Sequence, residues 1–516
     1  MTDARRIALA SGRAGLSLLA AGAAVALGAA ALLVPGPTVT PDVTAITVTP
    51  DRSDQTLACP GGVFGLTPGD NPQLTVAAMP RLVTAGTGAT VAALDGSDAL
   101  PSEPPAETPL VAADPPAIVT LPVSAPDELV AAVDSVSVRT PDIFGFAAAE
   151  CAPASRTGWL VGGDTTVGRT SWVAVANPGP VDATIDLALY GASGVITAPG
   201  TTGIIVPSGF QRVVALDGLA VDQTSPIVSV TARAGSVTAT LQTTTVRGLE
   251  PGGLSVVTAA ETAATRLVIP GVPIIDPDSV QERATAVGPD LLPTLRLLAP
   301  GEEGADVTVR LVRAGAVDAE PEASVIPPIL AALEGGTVLD LPLPELPAGD
   351  WAFLVDASAP VVAGVRVSVV DADPDVLPGP VGGVTPSIDQ HWISASPLLP
   401  DGITALGTVG DLAGTTARLH LAAPADGATV DLAGTTARLH LAAPADGATV
   451  DLDGRLIEVP AGGAVSLPVA GSTPLRITIA GGDVSASVSY RGDAAIATTR
   501  ILAPRAATPP LVILPQ

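Results

Sequence analysis

The sequence contains no lysine: its 24 basic residues are all arginine. That absence removes P-loop, Schiff-base, Ser-Lys and protein-kinase chemistries, each of which needs a lysine. Aromatic residues make up only 2% of the chain, so the cores must be built from Val, Leu, Ile and Ala. Histidine occurs three times, as His391, His420 and His440. A hydrolytic triad needs a histidine to take the serine proton, and neither a G-x-S-x-G elbow nor an H-E-x-x-H zinc helix accompanies these three. Positive charge is scarce as well. Against 51 acidic residues the net charge is −27 and the pI is near 4.2, which excludes nucleic acid as a partner.

What is present is a long and apolar chain, 516 residues of which 47% are hydrophobic, enough for three or four domains. Its 54 Gly and 52 Pro disfavour long helices beyond the N-terminus. The exception is Gly15 to Val34, an uncharged run of 20 residues preceded by Arg5, Arg6 and Arg13 and ended by Pro35, Gly36 and Pro37. It is long enough to cross a bilayer, and the arginines predict that 1–14 stays cytoplasmic while the bulk is exported. A cleaved signal peptide is the rival, since Ala24-Val25-Ala26 has the small-x-small form; the apolar run continuing through Val34 favours an uncleaved anchor over 15–34. The expected location is therefore the cell membrane, single-pass, with the C-terminal bulk on the extracellular side. Setting aside Arg5, Arg6, Arg13 and Asp3, the exported part has 21 Arg against 50 acidic residues, a charge of −29 that keeps it soluble beside anionic headgroups. In an oxidising compartment the only two cysteines, Cys59 and Cys151, read as one disulfide. Two free thiols in a metal site would lack the histidines such a site needs.

Beyond residue 158 one pattern recurs three times: a strand, a Pro-containing turn, a returning strand, a short strand and a final hairpin. Period-two alternation carries the reading, with Ile185, Leu187 and Leu189 on one face, then Val307, Val309 and Leu311, then Ala448, Val450 and Leu452. Pro178, Pro300 and Pro444 fall in the turns, and final hairpins are expected at Ala234-Gly235, Ala359-Pro360 and Gly481-Gly482. The predicted fold is all-β: tandem immunoglobulin-like antiparallel β-sandwiches after a single N-terminal transmembrane helix. The sandwiches span 159–262, 263–385 and 386–507, with 508–516 as a tail. Residues 36–158 form an N-terminal β-region with the disulfide and a Pro-rich loop near 100–116. Inside the third sandwich, 411–430 and 431–450 are identical, DLAGTTARLHLAAPADGATV twice over. One sandwich needs one such hairpin, so one copy is surplus, and the duplication accounts for His420 and His440 without a metal.

The elements Trp159–Gly163, Gly168-Arg169, Val175-Ala176-Asn177-Pro178, Gly203 to Pro207, Gln211-Arg212-Val213 and Val246-Arg247-Gly248-Leu249 resemble an uncharacterised family. It comprises membrane-anchored, exported proteins of high-GC Gram-positive bacteria, classed as a domain of unknown function. The resemblance is best over roughly 145–260 and runs from the anchor to the C-terminus. It implies an envelope protein and transfers no catalytic residue, because the family has none established. The perfect duplication departs from the family's pattern.

The remaining candidates read as structure. His391 beside Trp392 reads as a strand-edge residue and not a base, since no catalytic motif supplies it with partners. Asp371, Asp373 and Asp375 lack the Gly turn and bidentate Glu of a calcium loop and read as a solvated linker, and Glu302-Glu303 as turn polarity. Trp172 and Trp351 fall within strands and fill cores, while Trp159 and Trp392 occupy matching entry positions suited to interdomain packing. No catalytic, cofactor-binding or metal-binding residue is assigned. The expectation is a non-enzymatic, membrane-anchored extracellular scaffold whose sandwiches project from the membrane. Its partners would be other envelope proteins or cell-wall glycan; the alternative is a carbohydrate- or peptidoglycan-binding module.

Overall fold

The computed structural model describes residues 46–48, 54–67, 72–95, 116–124, 128–260, 262–316, 326–371, 387–411, 414–424, 428–431, 456–504 and 511–513. The expected anchor at 15–34, the Pro-rich stretch from 100 to 115, Asp373, Asp375, His440 and most of the second repeat copy lie outside them. Among the described residues no helix is long and apolar enough to cross a membrane. The chain divides into two compact units, 1–51 with 507–516 and 52–506. In the first, Ile46–Val48 pairs antiparallel with Leu511–Ile513. In the second, strands dominate, as the alternation requires. Along Ala183–Gly191 every odd-numbered residue is buried and the even-numbered ones are partly or fully exposed. Residues 305–312 alternate in the same way, and the strand ends on an exposed Arg313. Ala448, Val450 and Leu452 are all outside the described residues; Val430, the equivalent of Val450 in the first repeat copy, is buried.

Each recurring stretch folds as two antiparallel layers around an aliphatic core. In the first, Thr157–Val161, Ile227–Ala234 and Ala183–Gly191 lie side by side. They face a layer ordered Gln211–Ala215, Arg169–Ala176, Thr238–Arg247 and Glu250–Thr258. Leu160, Val173, Ile185, Leu187 and Leu241 fill the space between. The immunoglobulin order itself is not followed: there the first strand joins the layer of the second and the last joins that of the third and sixth. Here Thr157–Val161 pairs with Ile227–Ala234, and Thr238–Arg247 with Arg169–Ala176.

The expected final hairpins are crossings between layers. Ile227–Ala234 and Thr238–Arg247 belong to opposite sheets, as do Pro474–Ala480 and Ser485–Gly492. The 23-residue strand Gly349–Asp371 pairs with Ala305–Arg313 before Ala359-Pro360 and with Thr294–Leu298 after it. A hairpin would leave both apolar faces in one layer; a crossing sets them face to face and buries both.

Each stretch closes with one more strand, and with a strand of the N-terminal region these form the centre of the unit. We number them β1 (Phe144–Glu150), β2 (Glu250–Thr258), β3 (Ser387–Ser394) and β4 (Ala495–Arg500). β2 pairs with Thr238–Arg247, β3 with the second half of Gly349–Asp371, and β4 with Ser485–Gly492. β3 was expected to open the third sandwich; it closes the second, so a boundary at 386 cuts through a sheet. The third stretch begins instead with Thr404–Thr408. The four strands pack against one another. The projecting series of separate modules is therefore replaced by one compact body over 52–506.

Two further features bear on the sequence reading. A helix, α1 (Pro277–Val287), interrupts the second stretch, with Asp276 accepting from the Ser279 N–H and Pro277 at its first turn. In the third, the first repeat copy supplies Thr416–Ala422 to one layer and, with Asp431 of the second copy, Ala428–Asp431 to the other, and the latter pairs with Leu456–Val459. The second copy thus sits, in sequence, inside a hairpin connection.

Candidate functional site

β3 reads SIDQHWIS, two ionisable residues in an otherwise apolar-flanked strand, and all eight of its residues are buried. Asp389 is fully buried and accepts four backbone N–H bonds. Oδ2 takes Phe146 of β1 at 2.9 Å and Ile496 of β4 at 3.1 Å. Oδ1 takes Leu254 of β2 at 3.0 Å and Gln390 of its own strand at 2.9 Å. One carboxylate therefore joins the N-terminal region and all three layered stretches. Burial pushes its pKa up, and the four amide donors act in the opposite direction. Gly145 makes the approach possible: at φ +147°, a Cβ there would lie 2.3 Å from Asp389 Oδ1.

His391 is the next inward residue on the same face. Its Nδ1 lies 3.4 Å from Ser255 Oγ and its Nε2 lies 3.3 Å from the Thr498 carbonyl oxygen. A carbonyl only accepts, so Nε2 carries the proton and Nδ1 accepts from the serine. Ser255 Oγ in turn accepts the Trp392 N–H at 3.0 Å. Burial lowers the His391 pKa to about 4, so the ring is neutral at physiological pH. A Ser–His pair exists, but its outer nitrogen meets a backbone carbonyl where a triad needs a carboxylate. The void beside Ser255 is about 20 Å³, room for one water.

The other buried charges at these junctions are paired. Arg500 of β4 reaches Glu150 of β1 through Nε at 2.8 Å and Nη2 at 2.7 Å, and Nη2 also donates to the Thr258 carbonyl that ends β2 at 2.8 Å. Arg296, with no exposure, forks onto Asp340 at 2.8 and 2.9 Å and donates to the carbonyls of Gly163, Thr224 and Pro226 in the first stretch. Its guanidinium lies 4.2 Å from the Trp392 ring centroid, and Arg366 lies 5.4 Å from the same centroid. Arg169 and Arg247 share Asp290. These groups hold the modules together.

The expected site residues separate accordingly. Cys59 and Cys151 form the disulfide, and Asp134 lies beside them. His420 is buried with Nε2 at 2.7 Å from Ser489 Oγ, and burial lowers its pKa to about 3. Asp371 ends a strand, and Glu302 and Glu303 are exposed in a turn. Trp351 and Trp392 are buried; Trp159 packs on Tyr190 with ring centroids 5.8 Å apart, and Trp172 packs with Phe64. Trp159 and Trp392 are not equivalent, since one lies in an opening strand and the other in a closing one. All five Phe, four Trp and two Tyr are among the described residues, and only Phe210 is exposed. A cavity of about 430 Å³ between modules is lined largely by apolar groups, with Thr238, Leu267 and Arg500 among them. Sequence reasoning missed Asp389, Arg296, Glu150, Arg500 and Asp134; the available signal was a single charge inside an apolar strand, as in LRLLA or FAAAE.

No curated protein matches the chain. The model of a family of unknown function, DUF5719, matches residues 108–438, from the N-terminal β-region into the duplication. That span exceeds half of the sequence, and the chain belongs to this family.

Proposed function

We propose that the chain is a non-enzymatic scaffold or interaction protein of the bacterial cell envelope, held in the membrane by residues 15–34 with its bulk outside. The observation that carries this reading is the use made of the buried charges. Asp389, Arg296 and the Glu150–Arg500 pair spend their hydrogen bonds joining modules, and the Ser255–His391 pair opens on a void of about 20 Å³. A disulfide fits an oxidising compartment. The carbohydrate-binding alternative needs two or more exposed aromatics on one face; Phe210 is exposed, while Trp159, Trp172 and Tyr190 are half-buried.

Protease treatment of intact cells tests the placement: the bulk is expected to be digested from outside while an N-terminal tag at residues 1–14 survives. Survival of the whole chain until lysis would reject it. Incubating the purified chain with isolated cell-wall glycan tests the alternative. Saturable retention on the glycan would overturn the scaffold reading in its favour.

A further inference from the structure

The disulfide of the N-terminal region has an ionisable neighbour that the scaffold reading does not use. Cys59 follows the strand Gln55–Ala58 and Cys151 follows β1. Ala58 and Ala152 exchange backbone hydrogen bonds at 2.9 and 3.0 Å, so the two cysteines face each other across adjacent antiparallel segments. Asp134, on the strand Ala131–Arg139, places a carboxylate oxygen within 4.8 Å of both sulfurs. All three residues are buried, with exposures of 5% for Asp134, 2% for Cys59 and 3% for Cys151, among Ala117, Val119 and Ala132. The Gly61 N–H donates to Asp134 Oδ2 at 3.1 Å.

The charges nearby face elsewhere. Asp134 stands opposite Leu82 on one flanking strand and Ala149 on the other. Arg81 and Glu150 on those strands stand opposite Ser135 and Val133, one residue out of step and so on the other face, where Arg139 also falls. Gln55–Ala58 and Ala117–Leu121, which pair beneath the disulfide, carry no ionisable side chain. Among the described residues no cation offsets this carboxyl. Burial therefore pushes its pKa up to about 7, against the pull of the Gly61 bond. A buried carboxyl without a counter-ion costs stability. Holding Gly61 requires only an acceptor, which an asparagine would also supply. What an asparagine cannot do is exchange a proton near neutral pH.

We propose that Cys59, Cys151 and Asp134 form a thiol–disulfide couple with its own proton relay, opened and closed by exchange with a dithiol or disulfide partner. In the reducing direction local opening first exposes the bridge, whose cysteines are buried, and a partner thiolate then attacks one cysteine sulfur, forming a mixed disulfide as the Cys59–Cys151 bond breaks. The displaced cysteine thiolate takes the Asp134 proton. The carboxylate then accepts the proton of the partner's second thiol, which attacks the mixed disulfide. The second cysteine leaves as a thiolate and recovers that proton. Asp134, left ionised, takes back from solvent the proton that the partner's first thiol released on becoming a thiolate, so the protein gains two electrons and two protons and the partner leaves as its own disulfide. Oxidation runs the same steps backwards. This role goes beyond the scaffold reading and does not rest on it.

The test is the rate at which dithiothreitol opens the disulfide in the full chain, read by alkylation and mass shift from pH 5 to 9 and divided by the thiolate concentration. Wild type is expected to lose rate as pH rises through about 7. Asp134→Asn is expected to be slower at pH 6, on the order of 100-fold, and to have a flat profile. Asp134→Glu, which keeps an acid, restores a pH-dependent rate. A flat wild-type profile overturns the proposal even if the variants fail to fold, and so does an Asp134→Asn rate equal to wild type.

Discussion

Asp389 accepts N–H bonds from four different strands and has no exposure. Asp389→Ala strands four buried donors at once, and a loss on the order of 3 kcal/mol or more is expected in the urea unfolding free energy. An unchanged midpoint would show that the contacts are dispensable. Asp134 makes a prediction of opposite sense. Its folded pKa of about 7 stands above the unfolded value, which lies near 3.9. Its contribution is present below pH 4 and is lost as pH rises through 7, because the folded state holds a proton that the unfolded chain has released. Asp134→Asn should therefore gain stability relative to wild type between pH 5 and 8, by at most on the order of 4 kcal/mol. A pH-independent difference between the two proteins would contradict this. His391 and His420 act in the other direction. Their pKa values of about 4 and 3 lie below the unfolded value, so stability falls as pH drops below about 6.5. No single residue letter announces these roles. A charge in an apolar strand signals a buried partner, but which strand supplies it is a matter of long-range contact.

At the scale of elements, alternation identified strands well because period two is a local property that burial of one face enforces. It did not identify which layer each strand joins. The turn at Ala234-Gly235 is compatible with a hairpin or a crossing, and the core decides between them. The helix α1 was legible in principle from Asp276, Pro277 and the Gly288 that follows it, but its apolar stripe is short, Val280, Ala284 and Val287 in an otherwise mostly polar stretch. The duplication yields a clean test. Removing 431–450 joins Val430 to Asp451 and restores the sequence ATVDL, leaving four residues, Leu452 to Arg455, between the paired positions now held by Asp431 and Leu456. Loops of that length suit antiparallel pairs. The thermal midpoint should stay within about 2 °C of wild type or rise; a collapse of folding would show that the second copy is structural. Gly145→Ala, by contrast, drives a Cβ into Asp389 and should destabilise by several kcal/mol.

At the scale of the molecule, the closing strands turn three sequence repeats and an N-terminal region into one body. Calorimetry of the unit over 52–506 is expected to show one transition, and Asp389→Ala should lower it as a whole. Three separable transitions, with only one shifted, would mean that the modules are stable alone.

The all-β class, the disulfide partners, the repeat units and the lack of lysine chemistry follow from the sequence alone, since composition and short-range periodicity fix them. The assignment of β3 to the second stretch, the crossing of layers, the pairing of Arg500 with Glu150 across 350 residues and the placement of Asp134 beside the sulfurs were decided by tertiary structure. Each depends on which apolar faces bury against which, and that choice minimises exposed surface and unpaired polar groups over the whole chain at once, a sum that no local window contains.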